Sequence, residues 1–169
     1  MKLSPDDTVV AVSTPPGRGG IGVIRLSGRE SLKIARKLFR PLSRDGPGGS
    51  DGWSPEPRRV YLGIVVSVRD AHPLDEACLT FFPSPHSYTR EDVCELSCHG
   101  GPRLLDMILE NALEAGARLA EPGEFTLRAY LGGRIDITRA EAINDLIQAE
   151  SESEVRLAAD QLQGRLFDL

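Results

Sequence analysis

Cysteine, histidine, methionine and aromatic residues are all scarce in this chain, and each shortage removes a class of protein. Three cysteines (Cys78, Cys94, Cys98) are too few, and odd in number, for the disulfide framework of a small secreted domain. Cys94 and Cys98 have C-x-x-x-C spacing, but "DVCELSC" alternates like a strand. Four strand steps separate them by ~13 Å, beyond the reach of a disulfide. The three histidines (His72, His86, His99) are scattered without ligand spacing, so no metal site is expected. No apolar run approaches the ~20 residues of a membrane span, and no signal peptide precedes the first predicted strand. The expectation is a cytoplasmic chain with no membrane partner. A net charge of −5 and the lack of a basic stripe interleaved with aromatics argue against a nucleic-acid surface. G-x-x-x-x-G-K-[ST] is missing too, and with it the loop that cradles nucleotide phosphates.

What is present suits a folded core. The 169 residues are 40% hydrophobic and 27% charged, enough for one globular domain or one domain plus a fragment. Gly17 to Gly22 ("GRGGIG") formally match G-x-G-x-x-G. A dinucleotide fingerprint must open a helix, whose N-terminus holds the pyrophosphate. Here Val23-Ile24-Arg25-Leu26 follows, β-branched and alternating, and reads as a strand. The carboxylate expected about 20 residues on, at the tip of a second strand, is missing. The glycines are therefore read as a connection between two strands, where positive φ or close backbone approach is needed.

Strands are predicted near 8–14 and 21–27, then a helix near 29–39 opened by a Ser27/Glu30 capping box. Leu32, Ala35, Leu38 and Phe39 form its buried face, and Arg29, Lys33, Arg36 and Lys37 its wet one. Residues 41–57, rich in proline and glycine, read as an exposed loop. "RVYLGIVVSV" and "ACLTFF" read as a hairpin, and "EDVCELSC" as a further strand. "GGPRLLDMILENALEAGA" reads as a helix with Pro102 at its first position, Leu104, Leu105, Ile108 and Ala112 inward, and Gly116 at its end. The fold class is α+β: a mixed sheet packed with helices over 1–120. Residues 121–169 read as the beginning of a helical domain. It holds a short helix in "PGEFTLRAYLGG", then one long helix from 138 to 166 opened by Thr138 and Glu141. The apolar positions of that helix are Ile143, Leu146, Ile147, Val155, Ala158, Leu162 and Leu166, with "QAESESE" a solvated interval. With no evident helical partner for such a stripe, the chain reads as truncated.

Alternation sorts "DVCELSCH" into an apolar face (Cys94, Leu96, Cys98) and a mostly polar one (Val93, Glu95, Ser97, His99). A mid-strand carboxylate either pairs with an arginine on a half-exposed sheet face or accepts two parallel hydrogen bonds from a planar ligand. Ser87, Tyr88 and Thr89 are turn hydroxyls that could line a pocket. Arg25 puts a charge on an otherwise apolar strand. Arg134 follows Gly132-Gly133 ahead of the long helix.

In this order and spacing, "DTVVAVSTPPGRGGIGVIRLSG", "SYTREDVCELSCHGG" and "EPGEFTLRAYLGGRIDITRAEAINDLIQAES" closely resemble the start of the bacterial tRNA-modification GTPases of the MnmE or TrmE family. The resemblance runs from about Asp7 to Gly164. It implies a folate-binding module similar to that of folate-dependent aminomethyltransferases, which also forms a homodimer, followed by a helical domain into which a GTPase domain is inserted. By the same resemblance, an FAD-dependent partner subunit joins the complex, and tRNA is its substrate. The complex builds an aminomethyl-type group on C5 of the wobble uridine. The implied cofactor is 5-formyl-tetrahydrofolate or 5,10-methylene-tetrahydrofolate. GTP, Mg²⁺ and K⁺ would belong to the GTPase domain, so no GTP hydrolysis is expected of this chain.

The family's folate contacts fall on Arg25, Glu95 and Arg134, with Ser87 and Tyr88 as weaker candidates; no catalytic residue is assigned. Arg134 stands where the family commonly has Lys, Arg90 where it usually has Gly, and Gly132 where Asn is frequent. The family's C-terminal cysteine has no counterpart here. The alternative is a stand-alone folate-dependent one-carbon transferase of related fold. For that reading His99 is the only nearby acid or base.

Overall fold

The computed structural model describes residues 7–42 and 53–164. The chain divides into two compact units, Met1–Pro122 and Gly123–Leu169. Among the described residues of the first unit, seven strands form one mixed sheet. These are β1 (Val9–Val12), β2 (Ile21–Ser27), β3 (Phe39–Pro41), β4 (Val60–Val66), β5 (Pro73–Phe82), β6 (Val93–His99) and β7 (Arg118–Leu119). Their spatial order is β3-β4-β5-β6-β2-β1-β7. Every pairing is antiparallel except β1 with β7. The central strands β5, β6 and β2 are therefore held on both edges, which fixes the backbone under any side chain they carry.

Two helices, α1 (Ser31–Leu38) and α2 (Pro102–Glu114), share one hydrophobic core with this sheet. Ile34, Ala35 and Leu38 of α1 and Leu105, Ile108 and Ala112 of α2 are buried. They meet Ile24, Leu26, Leu79, Cys94, Leu96 and Cys98, the alternate positions of the central strands. This one-sided packing gives each strand its period of two. Pro102 opens α2 as predicted. Gly116, at φ +115°, ends it by turning the chain so that the Ala117 N–H returns to the Ala112 carbonyl at 3.0 Å.

The glycine-rich segment connects β1 to β2, as its context implied. Gly19 N–H donates to the Gly100 carbonyl at 3.1 Å. A Cβ on Gly100 would stand 2.6 Å from the Gly19 carbonyl oxygen, so two backbones meet where no side chain fits. Gly22, the last glycine of the motif, lies inside β2 under Leu105. The motif serves close packing.

Ser27 is not a helix cap. It is the last residue of β2, and α1 begins after Glu30 with no side-chain cap. The Glu30 N–H instead donates to Thr8 Oγ1 at 2.9 Å. Ile34 takes the buried place predicted for Leu32, which is only partly buried against the core. Of the proline-rich stretch 41–57, residues 43–52 lie outside the described residues. Pro41 belongs to β3, and Trp53 is buried against Phe39 and Tyr61, with ring centroids 5.9 and 5.2 Å away. Aromatic burial outweighs the loop-forming composition there.

In the second unit α3 spans Glu124–Leu131, α4 Ile137–Gln148 and α5 Glu152–Leu162. The predicted long helix is thus two helices. Asp136, and not Thr138, caps α4, its carboxylate accepting from the Arg139 N–H at 2.8 Å. At the break, Ser151 and Glu154 form the capping box of α5. The chain folds back, so that Gln161 Nε2 donates to the Thr138 carbonyl, and Ala142 and Ala158 are buried. The second half of the stripe covers part of the first, while Ile147 and Val155 stay exposed. Leu166 lies outside the described residues.

Candidate functional site

On β6, Cys94, Leu96 and Cys98 point into the core, while Glu95 is half-buried and Ser97 and His99 are exposed on the opposite face. The register of β2 against β6 sets Arg25 directly across from Glu95. Arg25 Nε donates to Glu95 Oε1 at 2.8 Å, and the two side chains are 26% and 27% exposed. Thr80 of β5 flanks Glu95 from the other side. The pair is the arginine partnership that alternation allowed for. At this exposure it contributes roughly 0–1 kcal/mol, so removing it tests the site more than the fold. A carboxylate offers about four acceptor positions. Arg25 takes one on Oε1, and the group retains capacity for two parallel donors.

The loop between β5 and β6 forms one wall. The Tyr88 ring lies 5.6 Å from the Arg25 guanidinium carbon, close enough for a cation–π contact. Ser87 is buried and its Oγ donates to the Glu91 carbonyl at 2.5 Å, so this hydroxyl anchors the loop. Arg90 adopts φ +63°, the left-handed conformation that glycine takes without strain. Thr89 and Ser27 are buried within hydrogen-bonding distance of each other. Sequence reasoning passed over Ser27 and Glu91. Ser27 shares strand parity with Arg25, a signal that the cap-like S-x-x-E spacing obscured.

At the far end of the same strand, His99 Nδ1 lies 2.6 Å from Asp75 Oδ1, and the His99 N–H donates to Asp75 Oδ2 at 2.8 Å. The carboxylate hydrogen bond raises the imidazole pKa above its usual 6.5. Burial pushes the thiols of Cys94 and Cys98 up to about 12, so both are poor nucleophiles.

Arg134 belongs to the second unit. It is exposed in the connection between α3 and α4, and its N–H donates to the Ala129 carbonyl at 2.9 Å. Within α3, Arg128 Nε and Nη2 both donate to Glu124 Oε1, at 3.2 and 3.0 Å, and the pair is almost fully buried. No helix among the described residues is long and apolar enough to cross a membrane.

A family model described as "GTP-binding protein TrmE N-terminus" matches residues 8–134. Among curated proteins, the tRNA modification GTPase MnmE of Chloroflexus aurantiacus is 50% identical over 161 residues, 95% of this chain and 34% of that protein. The proteins of the same name from Koribacter versatilis and Laribacter hongkongensis are 46% and 49% identical. Each alignment covers 94% of this chain, and 34% and 32% of the relative. The chain spans about a third of the length of the relatives it matches.

Proposed function

The chain belongs to the family of TrmE N-terminal domains, and from that membership we propose that it is the folate-binding and dimerising portion of a tRNA-modification GTPase. One observation carries the reading: Glu95, Arg25 and Tyr88 meet on one face of the sheet, on strands held from both sides. A pterin presents a 2-amino group and an adjacent ring N–H, two donors parallel in one plane. A carboxylate accepts both at once, the geometry that makes charge-assisted pairs strong and selective. The acceptor face of Glu95 therefore suits the edge of a reduced folate. Glu95 holds the pterin edge, Arg25 keeps the carboxylate oriented, and Tyr88 offers an aromatic surface. Ser87 anchors the Tyr88 loop through the Glu91 carbonyl, and Arg134, in the second unit, is a ligand contact on the family resemblance alone.

When bound, 5-formyl- or 5,10-methylene-tetrahydrofolate supplies a one-carbon unit. In the assembled protein that unit serves the modification of the wobble uridine of tRNA, together with an FAD-dependent partner subunit and in the cytoplasm. Homodimerisation draws on the sheet face away from α1 and α2, where Ile21, Val60 and Leu62 are exposed.

Titration calorimetry with 5-formyl-tetrahydrofolate tests the reading. Glu95→Gln replaces one acceptor with a donor facing two ligand donors. The loss is expected to be on the order of 2–3 kcal/mol, a factor of tens to over a hundred in affinity. Arg134→Ala is expected to lose less, as a contact to a solvated tail. Unchanged affinity in Glu95→Gln, with circular dichroism intact, would end the assignment.

A further inference from the structure

Behind Tyr88 lies a chain of three polar side chains that no ligand contact accounts for. Ser27 Oγ, on a fully buried residue at the end of β2, is 2.6 Å from Glu91 Oε2 and 2.7 Å from Thr89 Oγ1. The proton positions follow from the inventory of donors. An ionised carboxylate only accepts, so the single Ser27 hydroxyl proton goes to Glu91. Thr89 must then donate to Ser27 Oγ, and its own oxygen accepts the Glu91 N–H at 3.3 Å. Each hydroxyl is used as donor and as acceptor, and the ring of bonds closes on itself.

Position gives this ring a purpose. Ser27 is two residues from Arg25 on the same face of β2, and Thr89 is the immediate neighbour of Tyr88. Ser87, on the other side of Tyr88, donates to the Glu91 carbonyl. Thr89 thereby ties one side of Tyr88 to the strand that carries its cationic partner, and Ser87 ties the other side to Glu91, whose carboxylate Ser27 holds. We propose that Thr89, Ser27 and Glu91 are positioning residues that hold the Tyr88 ring against Arg25 and so set the aromatic wall of the pterin site. The ligand part of this rests on the folate reading above; the placement of Tyr88 does not.

The experiment separates the two. In ligand-free protein carrying ¹³C-labelled tyrosine, the Tyr88 ring signal is assigned by its loss in Tyr88→Phe, among three tyrosines in all. Thr89→Val keeps the shape and removes the hydroxyl. It is expected to move the Tyr88 signal while those of Tyr61 and Tyr130 stay, and Thr89→Ser is expected to restore it. Affinity for 5-formyl-tetrahydrofolate should fall about tenfold in Thr89→Val and recover in Thr89→Ser. The double variant Tyr88→Ala/Thr89→Val should bind no worse than Tyr88→Ala, because Thr89 acts through Tyr88. An unmoved Tyr88 signal in folded Thr89→Val, or additive losses in the double variant, overturns the proposal. If Thr89→Val does not fold, Glu91→Ala, at the half-exposed end of the ring, takes its place with the same expected displacement. Absence of folate binding in the wild type, with Tyr88 still displaced by Thr89→Val, would overturn the folate reading and leave the positioning role standing.

Discussion

His99 shows how one contact converts into a pH dependence. Its imidazole is exposed, yet the Asp75 carboxylate favours the charged form and raises the pKa above 6.5. The folded state then holds a proton that the unfolded state has released, so the contribution is fully present below the unfolded value. It is lost as pH rises through the folded one. Denaturant midpoints followed by the fluorescence of Trp53 should fall from about pH 6.5 upward, and Asp75→Asn should flatten that part of the profile. A midpoint that rises over this window would contradict the sign. At this same scale the site was partly legible. Glu95 and Arg25 stood out as charges on apolar strands, and period-two alternation gave their face. That they face each other depends on the pairing of two strands 70 residues apart, which no local pattern encodes.

Among the elements, strands and helices with a strong period were read close to their observed bounds. The departures lie at element ends, at the break in the long helix, and in the short β3 and β7, which carry no period of their own. S-x-x-E at Ser27 looked like a cap, but β2 continues through Ser27, whose hydroxyl serves Thr89 and Glu91. In the second unit the apolar stripe puts the same spacing at Ser151 inside one long helix, but it is the capping box that starts α5. Both are serines followed by glutamate three residues on, and only the surrounding chain direction tells them apart. Ser151→Ala should therefore destabilise the second helix of the hairpin by about 1 kcal/mol. The check is the loss of slow hydrogen exchange at the first amides of α5, with those of α4 less affected. Equal loss along both helices would mean that the break is not held by this cap.

For the whole molecule, the sheet face away from the helices carries exposed apolar side chains besides Glu95 and Arg25. Ile21 and Val60 are 69% and 62% exposed there, and Leu62 is close to half exposed. Exposed apolar side chains on a sheet face are commonly covered by a second copy. Sedimentation at about 50 μM, an order-of-magnitude choice set by mass action, should give a dimer. Leu62→Glu should shift it toward monomer without loss of secondary structure. A monomeric wild type at that concentration would remove dimerisation from the proposed function. A dimer unmoved by Leu62→Glu would place the interface on another surface.

Composition and period by themselves determined the α+β class, the buried face of each central strand, and the connecting role of the glycine-rich segment. Such properties depend on neighbours within a few residues, where steric limits and hydrophobic alternation act directly. The three motif blocks likewise carried the family, since membership is a property of residue order. Only the tertiary structure decided that Glu95 meets Arg25, that Ser27 meets Thr89 and Glu91, and that the segment after residue 137 is two helices, the second folded back on the first. Each of these depends on which distant segments pair, and pairing is settled by the burial of the whole core.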